Sequence, residues 1–475
     1  MFPSIKAHKL ASIFPAFLLF CLVAFKAYEA PITHDEAYSF EVYSSKSIPA
    51  ILAFKEDISA NNHLFNTLFM KASAGLGFQH PFCLRILSVF SFFLFLFGLY
   101  QLLNLNKHNI VFILLLIPAA SPYLLDFFSL ARGYAFSFAL MIWSIYLFVK
   151  NNALKKQQFW AIQVATFAML ANFNLVYVWF SLMAFHSVTF AIQFKKEHLV
   201  SFIKSILFPA LSFLYLVYVF KQLSNAEQLY FGGKEGFLEN VIKDQLWCFI
   251  YDKAYALNPF YLSIWLWTIP VLISGALVLF LNKLISTKQS FKDWLVVMYV
   301  LIFSLCLIVL NHSITGSLYP IKRTGLFVSI LVFLCLAMFL RFVFDLLPKN
   351  KLILFVVMLF VGTLYVHTLF SFHSKRYREI PYESHTVEII QKLAEFKTDT
   401  AVLSFSSNWQ FSPSLNFYKQ TQGLNWLPKI EKAPIDTHAQ FLLVFEEDLP
   451  LLNHQKIAPL LQFPEEQIYL YRQKP

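Results

Sequence analysis

Charge is scarce in this sequence. Only 14% of its 475 residues are Asp, Glu, Lys or Arg, where soluble domains carry about a quarter. A chain so poor in charge cannot cover a water-facing surface, so the two or three soluble domains that its length would allow are excluded. Cysteine patterning is absent as well. Cys21, Cys306 and Cys335 lie inside apolar runs, Cys83 opens one, and only Cys248 falls in a long polar loop. Without a Cys-x-x-Cys pair or metal-type spacing, neither a disulfide framework nor a zinc site is indicated. No internal repeat is evident. The segment Lys26–Pro31, after the apolar run Leu10–Phe25, has no small-x-small cleavage site, so Lys6 and Lys9 precede an uncleaved first helix rather than a signal peptide.

What the sequence has in quantity is apolar residues, 58% of the chain, with 56 phenylalanines. The formal net charge is +11, but most lysines sit in short segments between apolar runs. That is the signature of membrane orientation, not of a nucleic-acid groove. A membrane-spanning helix needs about 20 mainly apolar residues. Candidates occur near 10–27, 82–104, 109–124, 134–150, 157–172, 175–194, 203–221, 260–282, 293–311, 325–346 and 351–370. They predict a polytopic α-helical membrane protein with about eleven spans.

Basic residues orient it. With a cytoplasmic N-terminus, alternate loops hold Lys107, then Lys150, Lys155 and Lys156, then Lys195, Lys196 and Lys204, then Lys283, Lys288 and Lys292, then Arg341, Lys349 and Lys351. The opposite short loops hold little beyond Arg132, Lys322 and Arg323. This asymmetry supports an odd helix count and puts the tail outside the cytoplasm. From about His373 apolar runs shorten and polar residues become frequent, which divides a membrane domain, residues 1–372, from an extracytoplasmic α/β domain, residues 373–475. Two outer loops are long. In 28–81, Ile48–Phe54 and Leu64–Phe78 are too short to span and read as interfacial helices. The loop 221–259, rich in Gly and aromatics, reads as a mobile or substrate-contacting segment. In the tail, Glu383–Phe396 has helical spacing, and Ala401–Phe405, Phe441–Phe445 and Ile468–Tyr471 read as strands.

Ionisable residues near a membrane are costly, and those facing the bundle tend to be functional. Thr33-His34-Asp35-Glu36 lies just past the first span. Its carboxylates can supply a general base and a partner that positions it or binds a cation, and they read equally as a solvated loop start. Asp126, Arg132 and Tyr134 share a short outer loop, where the Asp and Arg are as well explained by mutual pairing or snorkelling. In Tyr319-Pro320-Ile321-Lys322-Arg323-Thr324, two cations run against the positive-inside trend. They suit a phosphate clamp or an interfacial anchor. Asn61-Asn62-His63 lies between the two interfacial helices, and a lone His is more often structural. All these groups fall on one predicted side, whereas a pore or transporter more often places its charges near the midplane.

In this order the motifs resemble the GT-C superfamily of membrane glycosyltransferases, especially the bacterial relatives of protein O-mannosyltransferases and of aminoarabinose transferase. His34-Asp35-Glu36 resembles the acidic motif of the first outer loop. Asn62-His63-Leu64-Phe65-Asn66, followed by Leu84–Ser88, resembles a segment the family often writes His-Pro-Pro-Leu-Tyr. Leu64 and Phe65 replace the prolines. Asp126 with Ala131-Arg132-Gly133-Tyr134, and Tyr319-Pro320 with Arg323-Thr324, resemble two later outer motifs. The resemblance covers roughly residues 10–345.

It implies an inverting glycosyltransferase, a mannosyltransferase-like hexosyltransferase. Such an enzyme moves a sugar from a polyprenyl-phosphate carrier to a glycan, lipid or protein acceptor. The reaction would occur at the outer face of a bacterial inner membrane. Asp35 would be the general base and Glu36 its positioner, and Asp126 would assist or help hold a divalent cation. Arg132, Lys322 and Arg323 would bind the lipid phosphate, with His63 and Tyr134 also in the substrate site. The runner-up is a transporter or flippase of lipid-linked sugars, which needs no base at Asp35. A third reading is a non-catalytic scaffold.

Overall fold

A computed structural model describes residues 7–104, 110–150, 156–192, 194, 196, 199–251, 288–348, 350–397, 402–452 and 458–473. The chain forms two compact units that do not follow sequence order. One contains residues 1–24, 58–65 and 87–372, and the other contains residues 25–57, 66–86 and 373–475. The unit that holds the C-terminal tail thus also contains most of the first outer loop.

The larger unit is helical because lipid offers no partner to a backbone N–H or C=O, and a helix satisfies both internally. Among the described residues, six helices are long and apolar enough to cross a membrane: Pro81–Leu103, Phe173–Ile192, Leu199–Asn225, Gln289–Thr315, Lys322–Leu346 and Lys351–Phe370. The number rises to eight if each of two bent pairs is one span. One of these, Val111–Ala119 with Pro122–Phe128, bends by 80°. Eleven was the expectation. Gly133–Val149 and Gln158–Ala171 are shorter apolar helices. At 1.5 Å per residue, 17 residues reach only about 25 Å of a roughly 30 Å hydrocarbon core. The candidate 260–282 lies outside the described residues.

Burial separates lipid-facing from packed helices. Leu207, Leu211 and Leu214 are each more than half exposed along one stripe of Leu199–Asn225. Leu352, Phe355 and Leu359 are similarly exposed on Lys351–Phe370. Apolar faces of this extent have no place in water, and the chain is an integral membrane protein. Lys322–Leu346, by contrast, is covered on nearly all sides. Near its C-terminal end Arg341 is fully buried and donates to Asp293 Oδ2 at 2.8 Å and to the Leu102 carbonyl at 3.0 Å. Arg341, counted above as a cytoplasmic loop charge, is thus an internal tie between three helices.

In the smaller unit, four strands form a sheet in the order β1-β2-β4-β3: β1 Phe405–Ser407, β2 Phe441–Phe445, β3 Pro459–Phe463 and β4 Ile468–Arg472. β1 and β2 are parallel, and the other pairs are antiparallel. The strand expected at 401–405 begins where that range ends. β3 was not expected. It is an edge strand that opens on Pro459, where proline loses no ladder hydrogen bond, and its half-exposed residues do not alternate. The helix expected at 383–396 is a 3-10 turn, Pro381–His385, followed by the helix Thr386–Ala394.

Removing Asp293 leaves a buried guanidinium uncompensated, which costs about 3–5 kcal/mol. Asp293→Ala is expected to lower the melting temperature of the detergent-purified protein. An unchanged melt would show that the pair holds nothing.

Candidate active site

The larger unit has a cavity of about 160 Å³. Its lining includes Asn61, Asn62 and His63 from the first outer loop, Arg132 and Tyr134, Asn172 to Asn174, Gln228 and Phe231, and Arg323 with Thr324. Four of the eight residues singled out from sequence, His63, Arg132, Tyr134 and Arg323, thus meet at one place, although up to 260 positions separate them.

The approach depends on Gly133. A Cβ there would lie 2.4 Å from the Ala171 carbonyl oxygen and 2.8 Å from the His63 Cβ and Nδ1 atoms. Glycine is required because a neighbouring backbone occupies the side-chain position. With that space open, the His63 ring meets the Tyr134 ring edge-on, their centroids 5.1 Å apart. Arg132 is 4% exposed, and its Nη2 donates to Asn61 Oδ1 at 3.2 Å.

Three helices begin at this cavity. Arg132 is the N-cap of Gly133–Val149. Asn172 caps the 3-10 turn Phe173–Leu175 that leads into Val176–Ile192. Arg323 and Thr324 lie in the first turn of Lys322–Leu346. Each helix N-terminus presents unsatisfied N–H groups and roughly half a positive charge. With two guanidiniums added, the arrangement favours an anion.

The second outer loop is less free than its composition suggested. Gly233 and Tyr319 exchange backbone hydrogen bonds of 2.9 and 3.0 Å. Phe231, held by that bridge, stacks on the Arg323 guanidinium at 4.4 Å. Residues 238–250 are helical rather than loop. Lys322 is not among the residues lining the cavity. Its ammonium lies over Trp247 at 5.7 Å, and its backbone N–H donates to Asp244. Asp126 is also outside the lining, and it accepts from the Tyr251 hydroxyl. Among the described residues no group of three or more His, Cys, Asp or Glu could hold a metal.

Asp35 and Glu36 belong to the smaller unit. Glu36 is fully buried and closes a capping box with Thr33. Arg85 meets it with two parallel bonds, Nε to Oε1 at 2.8 Å and Nη2 to Oε2 at 2.7 Å. Arg85 also donates to the carbonyls of Ala27, Ala30 and Pro31 at 2.7–3.0 Å. Glu36 therefore fixes the first turn of the helix His34–Tyr43, which carries half-buried Asp35. The tail completes this support. The His34 imidazole Nδ1–H donates to the Gln410 carbonyl at 2.8 Å, and the Ile32 N–H donates to the Tyr418 hydroxyl at 3.0 Å. Tyr418 is thus a support for the motif. Tyr382 packs edge-on against Phe411 and Phe445, and His385 stacks on Phe463. Trp409 is 46% exposed.

Sequence reasoning missed Arg85 as the partner of Glu36, and it missed Glu383. Glu383 is buried and accepts from Thr386 at 2.9 Å. Burial pushes its carboxyl up to about 8, with Thr386, Ser414 and the His34 backbone pulling down and Glu36 adding a further push upward.

No family model and no curated protein matches the sequence. Among solved structures the chain is similar to ArnT from Cupriavidus metallidurans. In the apo state the identity is 10%, 97% of each chain is covered and the TM-score is 0.42. For ArnT bound to undecaprenyl phosphate the values are 11%, 98% of each chain and 0.43.

Two outcomes follow from this geometry. Gly133→Ala forces apart the Ala171 turn and His63. It is expected to abolish ligand binding at the cavity, by thermal shift, in protein that still elutes as a single species; retained binding would show that the approach can relax. Glu383 is raised above its ordinary value of 4.5. Its contribution to stability is full below that value and lost as pH rises through about 8. Glu383→Gln should therefore raise the melting temperature at pH 8 and leave it little changed near pH 4.5, while equal effects at both would remove Glu383 as the cause.

Proposed function

We propose that this protein is a glycosyltransferase that moves a sugar from a polyprenyl-phosphate carrier to an acceptor hydroxyl. The observation that carries the proposal is the cavity where Arg132 and Arg323 meet at three helix N-termini. A phosphate bound there lies at the ends of membrane helices, where a lipid tail can remain among the spans and the head can reach water. The ordered resemblance to GT-C motifs supplies the reaction class.

In the proposed reaction the acceptor oxygen attacks the anomeric carbon as the bond from that carbon to the phosphate oxygen breaks. Asp35 takes the hydroxyl proton, and the electron pair leaves with the lipid phosphate, so the configuration inverts. Arg132 and Arg323 stabilise the charge that develops on the phosphate. A phosphate departs as an anion and needs no strong general acid. Glu36, held by Arg85, positions Asp35. On this reading the cavity lies at the outer face of a bacterial cytoplasmic membrane, with the N-terminus inside and the smaller unit outside. A mannosyl-type hexose is the proposed cargo.

The test is a transfer assay in detergent with radiolabelled polyprenyl-phosphate sugars and crude envelope acceptors. A positioned general base contributes about 10²- to 10⁴-fold. Asp35→Asn is expected to lose that much kcat with an unchanged melting temperature. Equal transfer by the variant would remove Asp35 as the base. Absence of transfer by wild type, with lipid movement in reconstituted vesicles, would favour the flippase.

A further inference from the structure

We infer that Asn172 reads the sugar of the lipid donor and that this sugar is uncharged. The inference rests on the transferase reading above and goes beyond it by naming the residue that recognises the sugar and by excluding an amino sugar.

Asn172 is 2% exposed and sits at the break between the helices Lys156–Ala171 and Val176–Ile192. Its side-chain oxygen accepts from the Asn174 N–H at 3.2 Å and from Asn174 Nδ2 at 3.2 Å. A backbone N–H can only donate, so the atom facing it is Oδ1, and the rest of the amide must be the NH₂ group. That Nδ2 is buried, has no hydrogen-bond partner among the described residues and belongs to a residue lining the cavity. A buried donor without a partner is costly. Such a cost is retained where a ligand supplies the missing acceptor. The ligand atom opposite Asn172 is therefore an oxygen.

The neighbours indicate which kind of oxygen. Asn61, Asn62, Asn174 and Gln228 line the same cavity. Carboxamides both donate and accept without charge, which matches hydroxyl groups that do the same. Phe173 and Phe220, with ring centroids 6.0 Å apart, add an apolar wall suited to the C–H face of a sugar ring. About 160 Å³ is below the 300–1,000 Å³ of a site for a drug-sized ligand, and is suited to one small ring. No Asp or Glu is among the described residues lining it, while two arginines are. An amino sugar would bring an ammonium into this positive field without a counter-ion. A neutral hexose would not.

The experiment measures binding to purified full-length protein in detergent. The probes are polyprenyl phosphate, polyprenyl-phosphate-mannose, polyprenyl-phosphate-glucose and a polyprenyl-phosphate-linked amino sugar. The variant is Asn172→Asp, which keeps the capping oxygen and the side-chain shape but replaces the NH₂ donor with an anionic acceptor. Wild type should bind one neutral-sugar lipid about tenfold more tightly than the amino-sugar lipid. Asn172→Asp should weaken the neutral-sugar lipid about tenfold more than it weakens polyprenyl phosphate, and should reverse the preference toward the amino sugar. An unchanged melting temperature and elution as a single species certify that the variant is folded. Equal weakening of all four lipids would make Asn172 a phosphate ligand or a structural cap and overturn the inference. So would a wild-type preference for the amino sugar. If wild type binds none of the lipids, the transferase reading fails, and the sugar assignment fails with it.

Discussion

The close approach at Gly133 is the constraint on which the cavity depends. Three segments distant in sequence meet there: the His63 turn, the Arg132–Tyr134 helix start and the Ala171–Asn172 helix end. In a bilayer the segments that join helices must gather where the helices end. The chain can bring two backbones within van der Waals contact only where one has no side chain. The spacing of Arg-Gly-Tyr then has a physical account. Arginine is the cap, glycine is the contact and tyrosine is the wall against which His63 packs.

Two buried ion pairs anchor the units internally. Arg341 with Asp293 joins helices in the larger one, and Arg85 with Glu36 holds the acidic motif in the smaller one. A buried pair is weak evidence for stability over an apolar replacement, yet breaking one partner is severe. The geometry at Arg85 shows why the charge is tolerated, since its guanidinium donates to the Glu36 carboxylate and to three carbonyl oxygens. The consequence is a division within the motif. Glu36 is committed to fixing a helix turn, whereas adjacent Asp35 is half-buried and lies on a turn already fixed.

The sequence exposed the residues that meet at the cavity better than the element boundaries. His63, Arg132, Tyr134 and Arg323 were legible because polar and basic residues are conspicuous between apolar runs and fell on one predicted side. Lys322 was legible for the same reason, but adjacent helix positions point about 100° apart, so a neighbour of Arg323 lies over Trp247 rather than at the cavity. Asn172 carried no reading beyond closing the apolar candidate 157–172. The available signal was Asn-Phe-Asn at a break between two apolar segments, since asparagine favours caps over helix interiors. Arg85 could not be paired with Glu36 from sequence, because their 49-residue separation carries no periodicity. The partnership of the tail with the first outer loop was equally hidden. It rests on single bonds such as Ile32 to Tyr418, which no composition shift records.

The cavity's field also bears on rate, beyond binding. A polyprenyl-phosphate sugar is a phosphodiester with one negative charge, and the departing lipid phosphate gains a second as the sugar leaves. An interaction accelerates a step only if it is stronger in the transition state than in the ground state. On the proposed reaction, guanidiniums and helix N-termini fixed around the phosphate would meet that condition, because their attraction grows with the charge that develops while their positions stay the same. Arg323 is held by Phe231 on one side and by its own helix start on the other, and Arg132 by Asn61. Positions secured in this way need no reorganisation as charge builds. A flippase gains nothing from such a gradient, because the phosphate it carries has the same charge at the beginning and end of the journey. The arrangement of positive groups at the cavity therefore favours chemistry over transport on grounds independent of the motif resemblance.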